Sequence, residues 1–177
     1  VTIYKEDSNV ILLKEVFNRV KWEDHNRALC FLDPYGLQLN WEVIQKAGEL
    51  GSIEIFLNFP LMDMNMNIFW TNPSGVDSNQ IDRMNKYWGD DSWRDCVYSP
   101  EQDLFGNTSL KKNEAIVIAK AFKERLKNVA GFKFVPDPIP MKNSKKGTVY
   151  YLFFASPNKT GNKIVKYIFT KYSRKGW

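Results

Sequence analysis

The chain is poor in the residues that most often build metal sites and covalent chemistry. Its 177 residues contain one histidine, His25, and two cysteines, Cys30 and Cys96. His25 lies between two polar residues in a stretch typical of an exposed loop, so we expect it to be neither catalytic nor metal-binding. Two cysteines form neither a disulfide framework nor a zinc motif, and Cys30 lies in an apolar run, as a small buried hydrophobe would. The sequence therefore predicts no metal site and fits a reducing, cytoplasmic setting.

Long apolar runs are also missing. No segment approaches the roughly 20 residues needed to cross a bilayer, and no signal peptide is visible. The hydrophobic content of 44% and the charged content of 25% are ordinary for a globular domain and argue against disorder. The net charge of +5 mildly favours an anionic partner. The chain opens on Val1 in strand-like sequence, which leads us to expect a fragment of a longer polypeptide.

Apolar runs and helical patterns alternate along the first third of the chain. Strands are predicted at residues 1–4, 28–32 and 53–57, with helices after the polar residues 7–9 and between Asn40 and Gly51. The continuous run at 28–32 predicts a central strand covered on both faces. This order predicts an α/β fold with a mostly parallel sheet in one domain, residues 1–177.

The rest of the chain departs from that repeat. Residues 61–100 are rich in Met, Asn, Asp and Trp and are predicted to be an insertion with one helix at 78–88. Further helices are predicted at 113–129 and 162–172. Strands are predicted at 132–135 and 149–155, joined by a loop at 136–147, and we expect these two strands to form an antiparallel pair.

The predicted strand at 28–32 ends in Asp33-Pro34-Tyr35-Gly36. In an open α/β sheet, ligands bind at the carboxyl ends of the strands. A carboxylate there can accept hydrogen bonds from the exocyclic amine of a base, and the Pro34 carbonyl could accept a second. Tyr35 offers a flat face for stacking, and Gly36 lets the backbone approach closely. A strand end followed by an ordinary turn is the alternative, because Asp-Pro commonly opens turns.

Two other predicted strand ends are polar. Asp7 and Asn9 follow the first strand and could contact a nucleotide cofactor, or Asp7 could simply cap the next helix. Asn58-Phe59-Pro60 follows the third strand and could contact a substrate. Because parallel strands share one carboxyl edge, we expect Asp7, Asp33 and Asn58 to converge on one crevice.

Two further segments could serve binding. The alternating Met and Asn residues at 62–67, including Asn65, could form an adaptable lid over a planar substrate, or else fill the core. The last third of the chain is rich in lysine, which is typical of a nucleic-acid face or of an ordinary solvated surface.

The order of four motifs, DPYG, NFP, WGD and FAS, resembles a known family. The segments that carry it are RALCFLDPYGLQLNWEVIQKAGELGSIEIFLNFPLMDMNMN, RMNKYWGDDSWR and YYLFFASPNKTGNKIVKYIF. From Tyr4 to about Tyr172 the chain is similar to the three-Cys-motif partner (TcmP) proteins. The combination in this order is far more specific than any one motif.

The resemblance implies a Rossmann-like, methyltransferase-type three-layer sandwich that acts on nucleic acid with S-adenosylmethionine. It implies that residues 4–9 contact the cofactor adenine. It places Asp33-Pro34-Tyr35 at the Asp-Pro-Pro-Tyr motif of amino-group methyltransferases, from which this chain lacks the second Pro. The glycine-rich segment that binds the cofactor in the family is not among residues 1–177, and we expect it, with further strands, upstream of Val1.

Two other functions fit the same residues. The chain could be a non-catalytic scaffold whose aromatic insertion docks a three-cysteine-motif protein, with Trp70, Trp88 and Trp93 as exposed anchors. It could also be a DNA-binding component of a defence or mobile-element system that contacts DNA electrostatically.

Overall fold

The structure is a computed structural model that describes residues 1–102 and 105–173. The strands are β1 (Ala28–Leu32), β2 (Ile53–Phe59), β3 (Tyr98–Gln102), β4 (Thr108–Lys112), β5 (Ile139–Lys142) and β6 (Thr148–Ala155). The α-helices are α1 (Ser8–Ile11), α2 (Trp41–Leu50), α3 (Leu61–Asn67), α4 (Ser78–Trp88), α5 (Trp93–Val97), α6 (Ala115–Asn128) and α7 (Lys159–Ser173). A π-helical segment, Leu12–Val16, and a 3₁₀ turn, Phe17–Arg19, continue α1, and a second 3₁₀ turn is Pro73–Gly75. Within the two described ranges, every helix is too short or too polar to cross a membrane.

Four strands form one mixed sheet in the order β1-β2-β6-β5. β1 and β2 are parallel, with Ala28 beside Ile53 and Leu32 beside Leu57. β6 runs antiparallel to both of its neighbours. The predicted α/β class is confirmed. The sheet is mixed rather than mostly parallel, because only the β1–β2 pairing is parallel.

β1 is an edge strand of the described sheet, which corrects the expectation of a central strand covered on both faces. Ala28, Cys30 and Leu32 face the main core, but Leu29 is 49% and Phe31 72% exposed. The Phe31 ring stacks on the next strand, 5.2 Å from the ring of Phe56. An uninterrupted apolar run indicates that both faces of a strand favour apolar contacts. It does not indicate whether the described residues cover both faces.

The main core lies on one face of the sheet, under α2 and α6. Alternate residues of β2 point into it, namely Ile53, Ile55, Leu57 and Phe59, all with no exposed surface. Phe122 of α6 is the hub of this core. Its ring centroid lies between 4.7 and 6.1 Å from those of five other buried aromatic side chains, which are Trp41, Phe59, Tyr87, Trp88 and Phe153.

Among the described residues, α7 is the one helix that covers the opposite face of the sheet. Val165 and Phe169 of this helix pack with Phe154 in a separate small core, and Phe56 extends it toward β1. Because one helix cannot cover four strands, apolar side chains at the β1 end of this face stay open to solvent. The helix predicted at 162–172 is confirmed, with its start three residues earlier.

Residues 61–112 hold more structure than the one predicted helix. They form α3, α4, α5 and a separate β3–β4 hairpin. Trp88 and Trp93 are each only 1% exposed, which corrects their assignment as exposed anchors. Their indole N–H groups donate to Ser92 Oγ and Asn85 Oδ1, so the polar residues around them satisfy buried tryptophans. Trp70 is 43% exposed.

Two predicted strands are wrong. Residues 1–4 are exposed and form no strand. In the stretch 132–135 only Phe134 makes a strand-like bridge, with Ser156, and the strand that pairs with β6 is β5, inside the predicted loop. β5 was not predicted because it contains Pro140, and a proline has no backbone N–H to donate to a neighbouring strand. It is tolerated here because β5 is an edge strand of the described sheet and needs donors on one side only.

Candidate functional site

Two polar side chains from the parallel strands meet at the carboxyl edge of the sheet. Asp33 directly follows β1, and Asn58 is the penultimate residue of β2. Asn58 Nδ2 donates a hydrogen bond of 2.7 Å to Asp33 Oδ1. The carboxyl ends of parallel strands are where open α/β sheets bind ligands. The structure therefore brings these two predicted site residues into direct contact.

The hydrogen bond leaves part of Asp33 free. Its side chain is exposed, and within the described residues its Oδ2 accepts no hydrogen bond. Asn58 Oδ1 is buried and has no partner among the described residues. The amide is therefore oriented by its donation to the carboxylate, since only the NH₂ group can donate. The pair presents a carboxylate oxygen in a fixed position to solvent.

The turn after Asp33 turns an aromatic ring outward. Tyr35 is 84% exposed, and Pro34 is half-buried. Gly36 has a φ of +56°, and a Cβ there would lie 3.0 Å from Asp63 Oδ2 and 3.4 Å from Arg83 Nη2. Only glycine suits both the left-handed backbone and the close approach of these two side chains. Tyr35 can thus stack on a planar ligand beside Asp33.

The other predicted substrate contacts differ in access. Phe59 is wholly buried and packs on Tyr87, Phe122 and Phe153. This corrects its predicted role, because its ring has no surface left for a substrate. Pro60 is half-buried, and its carbonyl accepts from the Met64 amide in the first turn of α3.

Asn65 is half-buried on α3. The segment predicted as a lid is this helix, whose exposed side chains include Met62 and Met66 and whose Met64 is in the core. α3 follows β2 directly and therefore stands at the carboxyl edge of the sheet.

Asp7 and Asn9 fix the start of α1 against the loop that follows Gly36. Asp7 caps α1 and accepts from the Asn9 amide N–H at 2.8 Å. The Asn9 side chain donates to Asp7 Oδ1 and to the Gln38 carbonyl and accepts from the Asn40 amide. Both amide hydrogens of Asn9 are thus used within the protein, which fastens residues 7–9 to the loop after Gly36. Their predicted contact with a cofactor stays a prediction.

A groove beside β1 opens next to Asp33. This β1 groove has a volume of about 470 Å³. Its lining is apolar along one wall and polar at its mouth, and consists of Tyr4, Glu6, Ser8, Ile11, Leu12, Val16, Cys30, Phe31, Leu32, Asp33, Pro34, Tyr35, Gln38 and Leu39. Burial raises the pKa of the Cys30 thiol to about 11, so this wall is neutral at physiological pH.

A second, wider groove lies on the other side of Glu6 and Ser8. This α2 groove, of about 1320 Å³, is lined by Asp7, Asn9, Trp41, Arg83 and Asp90, among others. Glu6, Ser8 and Gln38 border both grooves. Asp7 therefore opens onto the α2 groove, whereas Asp33 opens onto the β1 groove. The expected single crevice is two adjoining grooves, and Asn58 joins the site through its bond to Asp33.

Two site residues were not predicted from the sequence, namely Gln38 at the mouth of the β1 groove and Arg83 beside the turn at Gly36. Glu6 and Ser8, from the stretch 4–9 expected at the cofactor, lie at the same mouth. Asp63, from the segment predicted as a lid, also flanks the turn, and its Oδ2 is buried without a partner among the described residues. Nothing local in the sequence pointed to Gln38 or Arg83, which reach the site through the fold.

The described residues contain no group of three or more His, Cys, Asp or Glu side chains that could hold a metal ion. Comparison of the chain with protein-family models, with curated proteins and with solved structures gives no significant match. The function is therefore inferred from the geometry of the site.

Proposed function

We propose that this chain is a Rossmann-like, S-adenosylmethionine-dependent methyltransferase-like protein that acts on an amino group of nucleic acid. The observation that carries the proposal is the Asp33–Asn58 hydrogen bond at the carboxyl edge of two parallel strands, beside the exposed ring of Tyr35. The placement of antiparallel β6 between β2 and β5 also supports it, because the resemblance to TcmP proteins implies a terminal strand pair in which one strand runs against the rest.

Each residue of the site has a separate role in binding the base. Asp33 Oδ2 accepts a hydrogen bond from the target amine, and the Pro34 carbonyl is the second acceptor. Two acceptors draw the lone pair of the nitrogen out of conjugation with the ring, which makes the amine a better nucleophile. Tyr35 stacks on the base. Asn58 is a positioning residue, since it holds the carboxylate without touching the substrate.

The β1 groove fits the adenosine part of the cofactor. Its volume of about 470 Å³ lies within the roughly 300–1,000 Å³ of ordinary ligand pockets. The apolar side chains of Ile11, Leu12 and Phe31 can contact the flat faces of a purine. Glu6 and Ser8 lie at its mouth and can hydrogen-bond the purine amine or the ribose, for which they are better placed than Asp7. The bound cofactor would supply an activated methyl group.

Calorimetric titration with S-adenosylmethionine tests the groove. Leu12 lines it and neighbouring Leu13 does not, yet both are half-buried against the main core. We expect Leu12→Trp to abolish binding by filling the groove and Leu13→Trp to bind as the unaltered chain does, with circular dichroism confirming that both variants fold. The titration uses the full-length protein, and a folded full-length protein that does not bind the cofactor at millimolar concentration would disprove the proposal.

Transfer of a labelled methyl group to nucleic acid tests the acceptor residues. Asp33→Asn replaces a carboxylate oxygen by a donor, so we expect transfer to be lost while cofactor affinity stays within about twofold. We expect Asn58→Leu to lower the turnover by roughly 10-fold, the size of one well-placed hydrogen bond of about 1.4 kcal/mol. Undiminished transfer by Asp33→Asn would show that Asp33 does not bind the amine.

A second function, a scaffold that docks a three-cysteine-motif protein, is favoured by one surface. Met62, Met66 and Trp70 follow one another at intervals of four residues and are 44%, 62% and 43% exposed. Trp70 Nε1 donates to the Met66 carbonyl at 2.8 Å, which fixes the indole beside α3. Exposed Met and Trp side chains suit a protein partner.

Co-purification with the three-cysteine-motif protein tests the scaffold function. Trp70→Ala should abolish co-purification, whereas Trp22→Ala should not, because Trp22 is 56% exposed but pairs with Arg27 at another surface. Equal co-purification of both variants would exclude this surface as the docking site.

A further inference from the structure

Charge is divided unevenly along the chain. Residues 1–102 contain 9 lysines and arginines against 16 aspartates and glutamates, whereas residues 105–173 contain 14 against 3. The net charges of the two parts are therefore −7 and +11. The total of +5 hides this contrast.

The turn between β5 and β6 concentrates three lysines at the edge that carries Asp33. Lys142, Lys145 and Lys146 are all exposed there. Phe59, the last residue of β2, pairs with Tyr151, so the residues before Tyr151 project beyond the carboxyl end of β2. The lysine turn thus stands on the same edge of the sheet as the Asp33–Asn58 pair.

The turn is held in shape by one side chain. Asn143 Oδ1 accepts hydrogen bonds of 3.0 Å from the Lys145 and Gly147 amides, and the Asn143 amide donates to the Gly147 carbonyl. Lys146 adopts a φ of +63°, which this network stabilises. The three ammonium groups are therefore presented from an ordered backbone, which lowers the entropy cost of binding a ligand.

A second group of lysines follows the same edge strand, β5, away from the turn. Lys120 and Lys123 of α6 and Lys166 of α7 surround Asp137, two residues before β5. Lys123 Nζ lies 2.6 Å from Asp137 Oδ1. The hydrogen bond from Lys123 holds the pKa of Asp137 below its usual value, helped by the charges of Lys120 and Lys166. One carboxylate thus faces three ammonium groups that come from both sides of the sheet.

We propose that the exposed lysines of these two groups form a docking surface for the backbone of nucleic acid, which leads a strand to the Asp33–Asn58 pair. We call it the basic ridge, comprising Lys120, Lys142, Lys145, Lys146 and Lys166. Lys123 is only 18% exposed and is paired with Asp137, so it supports the ridge from beneath. The basic ridge deepens the proposed function, and it rests on that function only for the chemistry at Asp33.

The dimensions suit a strand of nucleic acid. Asp33, Asn58, Leu152 and Ile139 lie side by side across the four strands, and Lys142 is three residues beyond Ile139. With about 4.8 Å between strands and about 3.3 Å per residue, Asp33 and Lys142 are roughly 17 Å apart. That distance equals the axial length of about five nucleotides of one strand in a B-form duplex, and fewer in an extended single strand.

Nucleic acid fits the basic ridge better than a membrane does. One group of lysines lies at the start of β5 and the other at its end, an elongated arrangement that matches a linear polyanion better than a plane of headgroups. The turn sequence from Lys142 to Thr148 contains no aromatic or aliphatic side chain that could enter a lipid layer. Tyr35, at the end of the same edge, offers an exposed ring on which a base can stack.

Fluorescence anisotropy with labelled single-stranded DNA of about 16 nucleotides tests the basic ridge. The test variant is Lys142→Gln/Lys145→Gln/Lys146→Gln. The matched control is Lys14→Gln/Lys21→Gln/Lys46→Gln, which removes three charges from the acidic part of the chain. Each phosphate contact contributes about −0.7 to the slope of log affinity against log salt for single strands.

We expect the test variant to lose about 2 units of that slope and roughly 100-fold in affinity at 0.1 M salt. The control should keep the slope of the unaltered chain. An unchanged slope in the test variant would overturn the proposal, as would tighter binding to phosphatidylserine vesicles or to polyglutamate than to DNA at equal salt.

The outcomes for the two proposals can be told apart. The test variant should bind S-adenosylmethionine as the unaltered chain does, because none of its three lysines lines the β1 groove. DNA binding that depends on the ridge lysines, in a chain that does not bind the cofactor, would support the basic ridge and refute the methyltransferase function. Cofactor binding, with DNA binding that does not depend on the ridge lysines, would support the methyltransferase function and refute the basic ridge.

Discussion

Replacing Gly48 by alanine tests how closely α2 and α6 approach under the sheet. Gly48 lies inside α2, where alanine would ordinarily stabilise a helix by about 1 kcal/mol. A Cβ at this position, however, would overlap the Ala130 carbonyl oxygen and lie 2.8 Å from its carbonyl carbon. The obstacle is backbone at the end of α6 and cannot rotate away, so the helices must separate. We expect a net loss of roughly 1–3 kcal/mol in the free energy of unfolding.

Guanidinium denaturation of Gly48→Ala and of a matched control measures this effect. Gly161 is also helical, in α7, but its added Cβ would meet only the carboxylate of Glu54, a side chain that can shift at the cost of its hydrogen bond from Ser156 Oγ. We expect Gly161→Ala to be close to neutral, because the gain in helix propensity of about 1 kcal/mol offsets the loss of one hydrogen bond of about 1 kcal/mol. A Gly48→Ala variant as stable as Gly161→Ala would show that the two helices are not in backbone contact.

Two further predictions concern the ionisation of the Asp90 carboxyl and of the Cys30 thiol. Burial raises the pKa of the Asp90 carboxyl, but hydrogen bonds from Ser92 and Arg125 outweigh this effect, so the pKa is lowered overall. The ionised carboxylate therefore stabilises the fold above its unfolded pKa, and this stabilisation decreases as the pH falls below about 4. Asp90→Asn should therefore lower the free energy of unfolding more at pH 7 than at pH 3, and an equal loss at both would refute this. Burial raises the pKa of Cys30 to about 11, so disulfide exchange with a chromogenic reagent at pH 8 should be slow until the chain unfolds.

The convergence of Asp33 and Asn58 could be predicted because it follows from strand direction alone. Two apolar runs separated by a helix predict a parallel pair, and parallel strands end on one edge. No knowledge of packing was needed. Asp7 could not be placed by the same reasoning, because residues 1–4 form no strand and its side chain therefore follows the helix cap.

The environment of the tryptophans could not be predicted from their neighbours. Trp88 and Trp93 lie among Asn, Asp and Ser residues, which suggested an exposed insertion. A buried indole needs an acceptor for its N–H, and Asn85 and Ser92 provide it. Polar residues near a tryptophan can therefore indicate burial as well as exposure, and only tertiary contacts decide between them.

The uneven distribution of charge suits Asp33 and the lysine turn, the two ends of the site, to different parts of a nucleotide. The exocyclic amine of a base is a hydrogen-bond donor and suits Asp33, which lies in the acidic part of the chain, whereas a phosphate suits the lysine turn. The lysine turn lies roughly 17 Å from the Asp33 carboxylate, beyond the Debye length of about 8 Å at physiological salt. Attraction between the lysines and the carboxylate is therefore screened, and one edge of the sheet can carry both a carboxylate that binds the base and lysines that bind the backbone.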